Sequence, residues 1–338
     1  MVEIAVFAPF LAGYADWLER QIEVPARVRV SPTFGEDDVL PLLPDAEIVL
    51  TSHWSTRLGA AARRLRFLQV PGAGWDKIDP AGIPPGVLVA NCYEHETGIA
   101  EYVIMMCLAL ARELLEADRT IRRGDWRLFP AIGQHGFFPE LGGQTLGIVG
   151  LGRIGREVAR LAAPFGMRRL AVDAEPIPRD LRERLGLELA GGPDELDGLL
   201  GESDFVVIAT PLTETTRRLF DATRLRRMKP TAYLINPARA EICDERDLYL
   251  ALRDRVIAGA ALDPWWHYPK GDEIVAPSAY PYQELGNVIM TPHTSGSTTG
   301  MLERRMRVVA ANINRFLRDE PVVNVVEELS RVGEAARR

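Results

Sequence analysis

The sequence predicts an α/β protein made of two doubly wound parallel-sheet domains, and three observations lead there. At 338 residues the chain has room for about two cores of roughly 150 residues each. Short apolar runs alternate with helical patterns along most of the length, as they do where parallel strands are joined by helical crossovers. The runs also come in two successive series, which implies two sheets.

The first series reads Ile4–Ala8, Arg27–Val30, Glu47–Leu50, Phe67–Val70 and Val87–Ala90. A domain boundary is expected where it ends, near Asn91–Thr97, followed by one long helix from Thr97 to Ala117 with a largely apolar middle. The second series reads Thr145–Val149, Arg169–Val172, Phe205–Ala209, Ala232–Ile235, Val256–Ala261 and Val288–Met290, with helices at Ile154–Ala163, Ala222–Met228 and Glu245–Asp254. A last helical pattern, Thr298–Arg318, lets the tail return to the first domain. The expected domains are residues 1–95 with 300–338, and residues 96–299. Two long loops, Gly124–Gly143 with Trp126, Phe129, Phe137 and Phe138, and Pro264–Gly286 with Trp265, Trp266, Tyr268, Tyr280 and Tyr282, read either as lids or interface arms or as aromatics packed beneath surface loops.

Composition excludes several function classes. The 40 cations against 47 carboxylates leave a net charge of −7, so there is no electrostatic footprint for nucleic acid or an anionic membrane. Lysine occurs only at 77, 229 and 270, and the arginines alternate with Asp and Glu as on solvated helix faces. Three distant cysteines, Cys92, Cys107 and Cys243, make neither a disulfide framework nor a metal site, which points to a reducing compartment. Met1–Phe7 carries Glu3 and no cationic segment, and it reads as a strand rather than a signal peptide. The longest uncharged apolar run, Tyr102–Ala111, has ten residues, too few to span a bilayer. A cytoplasmic protein without a metal site is expected; the histidines (53, 95, 135, 267 and 293) are scattered.

Gly150-Leu-Gly-Arg-Ile-Gly155 is a GxGxxG turn. A strand feeds it, and a helix with apolar Ile154, Val158, Leu161 and Ala162 leaves it. The next strand ends in Asp173, 18 residues past the third glycine. In that context the motif is the Rossmann-type dinucleotide turn, with Gly150 for the bend, Gly152 for close approach of the pyrophosphate and Gly155 for helix packing. The helix N-terminus offers N–H groups and partial positive charge to phosphates. Asp173 would accept from the ribose hydroxyls and repel a 2′-phosphate, so the cofactor is expected to be NAD rather than NADP.

Further segments follow in order: Pro71-Gly-Ala-Gly-Trp-Asp-Lys-Ile-Asp79, the Ala100-Glu-Tyr helix, Thr210-Pro-Leu-Thr-Glu-Thr-Thr216, Asn236-Pro-Ala-Arg-Ala240, Ala261-Leu-Asp263 and Thr291-Pro-His-Thr-Ser-Gly296. With the glycine turn, they resemble the D-isomer-specific 2-hydroxyacid dehydrogenases, a family that includes formate and phosphite dehydrogenases, over nearly the whole chain. The resemblance implies two Rossmann-like domains with a cleft between them. The flavodoxin-like substrate domain would be built from both chain ends, and closure would exclude water. It also implies a homodimer made largely through the NAD domains, with the Gly124–Gly143 loop available to take part.

Arg239 follows a strand end, where open α/β sheets put ligands, and its planar fork suits a carboxylate or substrate oxygen. The resemblance makes it the residue that orients the 2-oxo acid. His293 would give a proton to the carbonyl oxygen on reduction and take it back on oxidation. The glycines of Gly72-Ala-Gly-Trp75 would free the N–H groups of Ala73 and Gly74 to form an anion nest for the substrate's acid group. By resemblance Asp263 accepts from the nicotinamide carboxamide, and Arg153, Ile154, Thr210, Pro211, Thr216, Pro237, Ala238 and Gly296 line the cofactor.

One position departs from the family. Most relatives carry a glutamate five residues after the matching aspartate, paired with the catalytic histidine; here Tyr268 stands in that place and joins Arg239 and His293 in the candidate catalytic set. It either orients the imidazole or packs with Trp265 and Trp266; Glu94, Glu96 or Asp272 are the carboxylates that could fold into the gap, and nothing in the spacing argues for it. Three functions remain open. They are an NAD-dependent dehydrogenase of a small 2-hydroxy acid, a dehydrogenase of another small oxoanion such as formate, phosphite or a hydroxyphosphonate, and a non-catalytic NAD(H)-sensing scaffold.

Overall fold

The computed structural model describes every residue except 34, 134–135, 270–272 and 331–338, together with the side chains of residues 9 and 10. Expectations that touch His135, Lys270, Asp272 and the end of the tail therefore lie outside the described residues. The chain divides into two compact units: Met1–Glu94 with the described part of Thr298–Arg338, and His95–Ser297.

In the first unit, β1 (Val2–Phe7), β2 (Ala26–Val30), β3 (Ile48–Thr51), β4 (Phe67–Gln69) and β5 (Leu88–Ala90) form a parallel sheet of order β2-β1-β3-β4-β5. Side chains alternate across the strands. Ala5, Phe7, Val49 and Leu68 enter one core with Trp54 and Val89, while Ile4, Val6, Ile48, Leu50 and Phe67 enter the other. Both faces are covered, so the strands are near-continuous apolar runs. The helix Thr299–Leu317 starts at a Thr298 cap and contributes Met306, Val309 and Ile313 to the second core. Phe316 stacks on Phe67 with ring centres 4.9 Å apart. Beyond the helix, Val325 bridges Ala90 and the Val326 N–H donates to the Val89 carbonyl at 2.8 Å.

The second unit holds β6 (Thr145–Val149), β7 (Arg168–Val172), β8 (Leu189–Gly191), β9 (Phe205–Ile208), β10 (Tyr233–Asn236), β11 (Gly259–Leu262) and β12 (Val288–Met290). Their order, β12-β11-β10-β9-β6-β7-β8, is parallel throughout. The chain runs outward from β6 to β8, then returns to lay β9 on the other side of β6. The strand order reverses between β6 and β9, where sheets of this type bind ligands at their carboxyl ends.

Three expectations are corrected. The helix expected to be continuous from Thr97 to Ala117 is two, Glu96–Ala111 and Leu114–Ile121, separated by Glu113 at φ 47°; an α-helix cannot pass through a left-handed residue. The edge strand β8 is a three-residue addition too short to show a period. The strand expected over Val256–Ala261 is shifted to Gly259–Leu262. The two aromatic loops take opposite forms: Trp126, Phe129 and Phe137 are exposed, whereas Trp265 and Tyr282 are buried. All three cysteines are buried thiols outside any disulfide, and no helix among the described residues is long and apolar enough to cross a membrane.

Asn312 ties the terminal helix to its sheet. Fully buried, its Nδ2 donates to Gln69 Oε1 at 2.9 Å and to the Val323 carbonyl at 3.1 Å, and its Oδ1 accepts the Val323 N–H at 3.1 Å. Asn312→Ala strands these partners without water and is expected to cost about 2–4 kcal/mol. The urea midpoint of the first unit reads this, and a loss below about 0.5 kcal/mol, the scale of a surface substitution, would refute the role.

Candidate active site

The glycine turn follows β6 directly. Gly150 has φ 99°, and a Cβ there would sit 2.7 Å from the Ala209 carbonyl carbon and the Thr210 nitrogen. A Cβ on Gly155 would lie 2.1 Å from the Gly150 carbonyl oxygen, so the helix Arg153–Ala162 packs against the turn only with glycine there. Gly152, the N-cap, has open space around its Cβ direction, a cradle suited to a phosphate. Ile154 packs on the unit's core, and Arg153 lies 4.0 Å from Glu96.

Asp173, just after β7, is built into this turn: Oδ2 accepts the Leu151 N–H at 2.5 Å and Oδ1 the Glu175 N–H at 3.0 Å. The nearby cations are engaged with carboxylates, Arg168 with Glu188 and Arg179 with Glu183. Thr210, Pro211 and Thr216 lie in the loop after β9. The Thr216 hydroxyl braces it by donating to the Pro211 carbonyl and accepting the Thr213 N–H, each at 2.7 Å.

The adjacent strands β10, β11 and β12 end in Asn236, Asp263 and the Thr291–Gly296 loop. Asn236 is buried; its Oδ1 accepts the Ala238 N–H at 3.0 Å and its Nδ2 donates to the Arg239 carbonyl at 2.8 Å. This clip fixes Pro237, Ala238 and Arg239, a half-buried residue whose guanidinium donates to the Ala238 carbonyl at 2.9 Å. Asp263 is 0% exposed. Its Oδ1 accepts the Thr291 hydroxyl at 2.6 Å and the Thr294 N–H at 2.8 Å, its Oδ2 the Ser295 N–H at 2.9 Å, and its carbonyl the His293 N–H at 2.9 Å. His293 is held in the left-handed region at φ 57°.

Tyr102, in the middle of the helix Glu96–Ala111, reaches Thr291 Oγ1 at 2.8 Å. Thr291 spends its only hydrogen on Asp263, so the phenol is the donor; burial pushes its pKa up to about 12. Gly296 closes the loop against His95 and Ile99. Tyr268, about half exposed, places Oη 2.7 Å from His293 Nδ1. Burial raises the phenol's pKa, opposed by the Trp265 N–H and the Arg239 charge.

In the first unit, Ala73 and Gly74 follow β4. The Ala73 carbonyl accepts from Asn91 Nδ2 at 2.9 Å, and neither N–H takes a hydrogen bond among the described residues. Gly72 and Gly74 both avoid positive φ, so the loop is an open turn without a left-handed residue. Glu94 faces Arg304 and Glu96 faces Arg153; Asp272 lies outside the described residues.

Residues 104–295 match the family model "D-isomer specific 2-hydroxyacid dehydrogenase, NAD binding domain". The chain belongs to this family. It is 38% identical over 321 residues to a glyoxylate reductase of Thermococcus kodakarensis, a match covering 94% of this chain and 90% of that one. It is 33% identical to D-3-phosphoglycerate dehydrogenase of Methanocaldococcus jannaschii over 96% of this chain but only 59% of the relative's length. A solved formate dehydrogenase of Granulicella superposes with a TM-score of 0.76 at 27% identity, covering 94% and 83% of the two chains.

For a D-isomer-specific 2-hydroxyacid dehydrogenase, the sequence motifs pointed to the residues at strand ends. Asn236, Thr291, Tyr102 and Trp265 were not singled out for roles, although a polar Tyr102 inside an apolar helix and an Asn closing an apolar strand are visible signals. Asp263→Asn replaces one acceptor oxygen by a donor amide facing another donor. It is expected to cost about 2–4 kcal/mol and to speed hydrogen exchange at the Thr294 and Ser295 amides. Unchanged exchange there would show that the carboxylate does not hold the loop.

Proposed function

We propose that the chain is an NAD-dependent oxidoreductase moving a hydride between NAD(H) and a small 2-hydroxy or 2-oxo acid. The observation that carries this reading is the placement of Arg239, Asp263 and His293 at the carboxyl ends of three adjacent parallel strands in the sheet that bears the glycine turn. When bound, the nicotinamide cofactor supplies or accepts the hydride. Arg239, steadied by the Asn236 clip, holds the substrate's carboxylate or carbonyl oxygen and polarises the carbonyl. His293 gives a proton from Nε2 to the carbonyl oxygen on reduction and takes it back on oxidation.

Within the first unit, Ala73 and Gly74 offer two N–H donors to an anion. Asp263 has remaining acceptor capacity for the carboxamide, and Thr210, Pro211, Thr216, Pro237, Ala238 and Gly296 line the cofactor. The partner of the reaction is a small anion, and the spacing of the three cysteines suits a reducing, cytoplasmic compartment. A second reading, hydride abstraction from formate, phosphite or a similar oxoanion, is favoured by the absence of a carboxylate at position 268, since that reaction needs no proton delivered to a carbonyl.

The second unit also presents an apolar groove of about 550 Å³ lined by Ile104, Met105, Leu108, Leu114, Leu161 and Phe165. The exposed arm of Trp126, Phe129, Ile132 and Phe137 supplies apolar side chains of the same character. A second copy of this chain is the occupant these surfaces suit, giving a homodimer through the NAD domains. Phe137→Asp with Met105→Asp should shift sedimentation from dimer to monomer; a monomer before substitution removes the reading.

NADH oxidation across a panel of 2-oxo acids, beside NAD reduction by formate and phosphite, separates the two reactions. Turnover on the first panel is expected, with kcat/KM for NADH at least tenfold that for NADPH, because Asp173 repels a 2′-phosphate; parity between the cofactors would refute Asp173's part. Arg239→Ala should remove about 2–4 kcal/mol of transition-state stabilisation with NADH affinity nearly unchanged. Near-normal turnover in that variant would sink the assignment of Arg239.

A further inference from the structure

We infer that Tyr102 is a positioning residue for the cofactor, fixing Asp263 through Thr291 so that Oδ2 is the oxygen left to accept from the nicotinamide carboxamide. This deepens the reading of Asp263 as the carboxamide acceptor, and rests on it. All the residues involved lie in the second unit. Tyr102 stands midway along the helix Glu96–Ala111 and is 6% exposed, in a core that also holds Ile99, Val103, Ile235 and Ala261. Ile235 belongs to β10 and Ala261 to β11, so the ring shares its core with the strands that lead to Arg239 and Asp263. Packing there needs only a phenyl ring. A buried hydroxyl needs a partner as well, and this one has Thr291 Oγ1 at 2.8 Å.

A chain of donors runs from the helix to the carboxylate. Tyr102 Oη gives its hydrogen to Thr291 Oγ1, and Thr291 gives its own to Asp263 Oδ1 at 2.6 Å. Each hydroxyl has one hydrogen and an ionised carboxylate only accepts, so the order cannot reverse. The Thr291 backbone is pinned separately: its carbonyl accepts the Trp265 indole N–H at 2.9 Å, and its N–H donates to the Leu262 carbonyl at 3.0 Å. A carboxylate oxygen has about two acceptor sites. On Oδ1 both are taken, by the Thr291 hydroxyl and the Thr294 N–H; on Oδ2, among the described residues, the Ser295 N–H takes one. Asp263 is 0% exposed, and a fourth donor on Oδ2, such as a carboxamide N–H, completes its complement. The phenol holds that division in place. Without it Thr291 Oγ1 loses the donor that orients it from the core, and the bond it makes to Oδ1 loses the strengthening that hydrogen bonds in series lend one another.

Cofactor affinity of the full chain tests this without turnover. The probes are NADH and its reduced acetylpyridine analogue, which keeps the carbonyl but carries a methyl group in place of the amide N–H groups. The unchanged protein should bind NADH about tenfold or more tightly than the analogue, the scale of a hydrogen bond to a buried charge. Tyr102→Phe keeps the ring and should fold. It should cut the preference to about threefold by weakening NADH alone, with affinity for the analogue within about twofold of the unchanged protein. Thr291→Val breaks the same chain at its next link and should act likewise, and the losses in the double variant should not add. Thr291→Ser keeps the hydroxyl and should keep the preference. Equal losses for both ligands in Tyr102→Phe mark a phenol with only a structural role and overturn the inference. A full preference retained in Tyr102→Phe or in Thr291→Val, or additive losses in the double variant, overturns it too, and in each of these cases the carboxamide reading of Asp263 stands. Equal affinities for the two ligands in the unchanged protein remove that reading, and the inference with it.

Discussion

A carboxylate buried out of water holds the site together. Asp263 is 0% exposed, and an uncompensated ion in that position would cost several kcal/mol. Three donors from the segment Thr291–Ser295 compensate it, each worth about 1.5–3 kcal/mol as a bond to a charged group. Strand end and loop therefore enforce one another, because releasing the loop would leave the carboxylate without partners. This explains how His293 tolerates φ 57°, a strain of about 1–3 kcal/mol that the three bonds outweigh. The Tyr102 phenol, donating to Thr291 from a buried helix, passes the same restraint into the core.

The parallel sheet sets where this chemistry can stand. Every strand of the second unit points the same way, so every strand-to-helix turn with its exposed amides falls on one edge. The dinucleotide turn after β6, Asp173 after β7, Thr210 after β9, Arg239 after β10 and Asp263 after β11 are neighbours for that reason alone. Each loop is then stiffened by a local polar clip: Asn236 under Arg239, Thr216 across the Thr210 loop, Leu151 N–H on Asp173.

Legibility in the sequence follows from range. Strands buried on both faces announce themselves as apolar runs, and the glycine turn as a spacing, because both are written within a few neighbouring residues. The residues that position the site are not. Tyr102 finds Thr291 across 189 positions and Trp265 finds it across 26, pairings that no local pattern encodes. The break at Glu113 is silent for another reason: neither glycine nor proline marks it, and Leu114 and Leu115 continue the apolar pattern while remaining exposed. The first aromatic loop exposes Trp126, Phe129 and Phe137, whereas the second buries Trp265 and Tyr282 and leaves Tyr268 half exposed, a difference that depends on what lies beneath each.

A phenol beside the histidine is a different partner from a carboxylate. In reduction the imidazole must begin protonated, and in oxidation it must begin neutral. A carboxylate partner stabilises the imidazolium by a charge within a few ångströms, worth about one to three pKa units, and so favours readiness to donate. Tyr268, whose own ionisation is pushed upward by burial, meets the ring as a hydrogen-bonding phenol rather than as a charge.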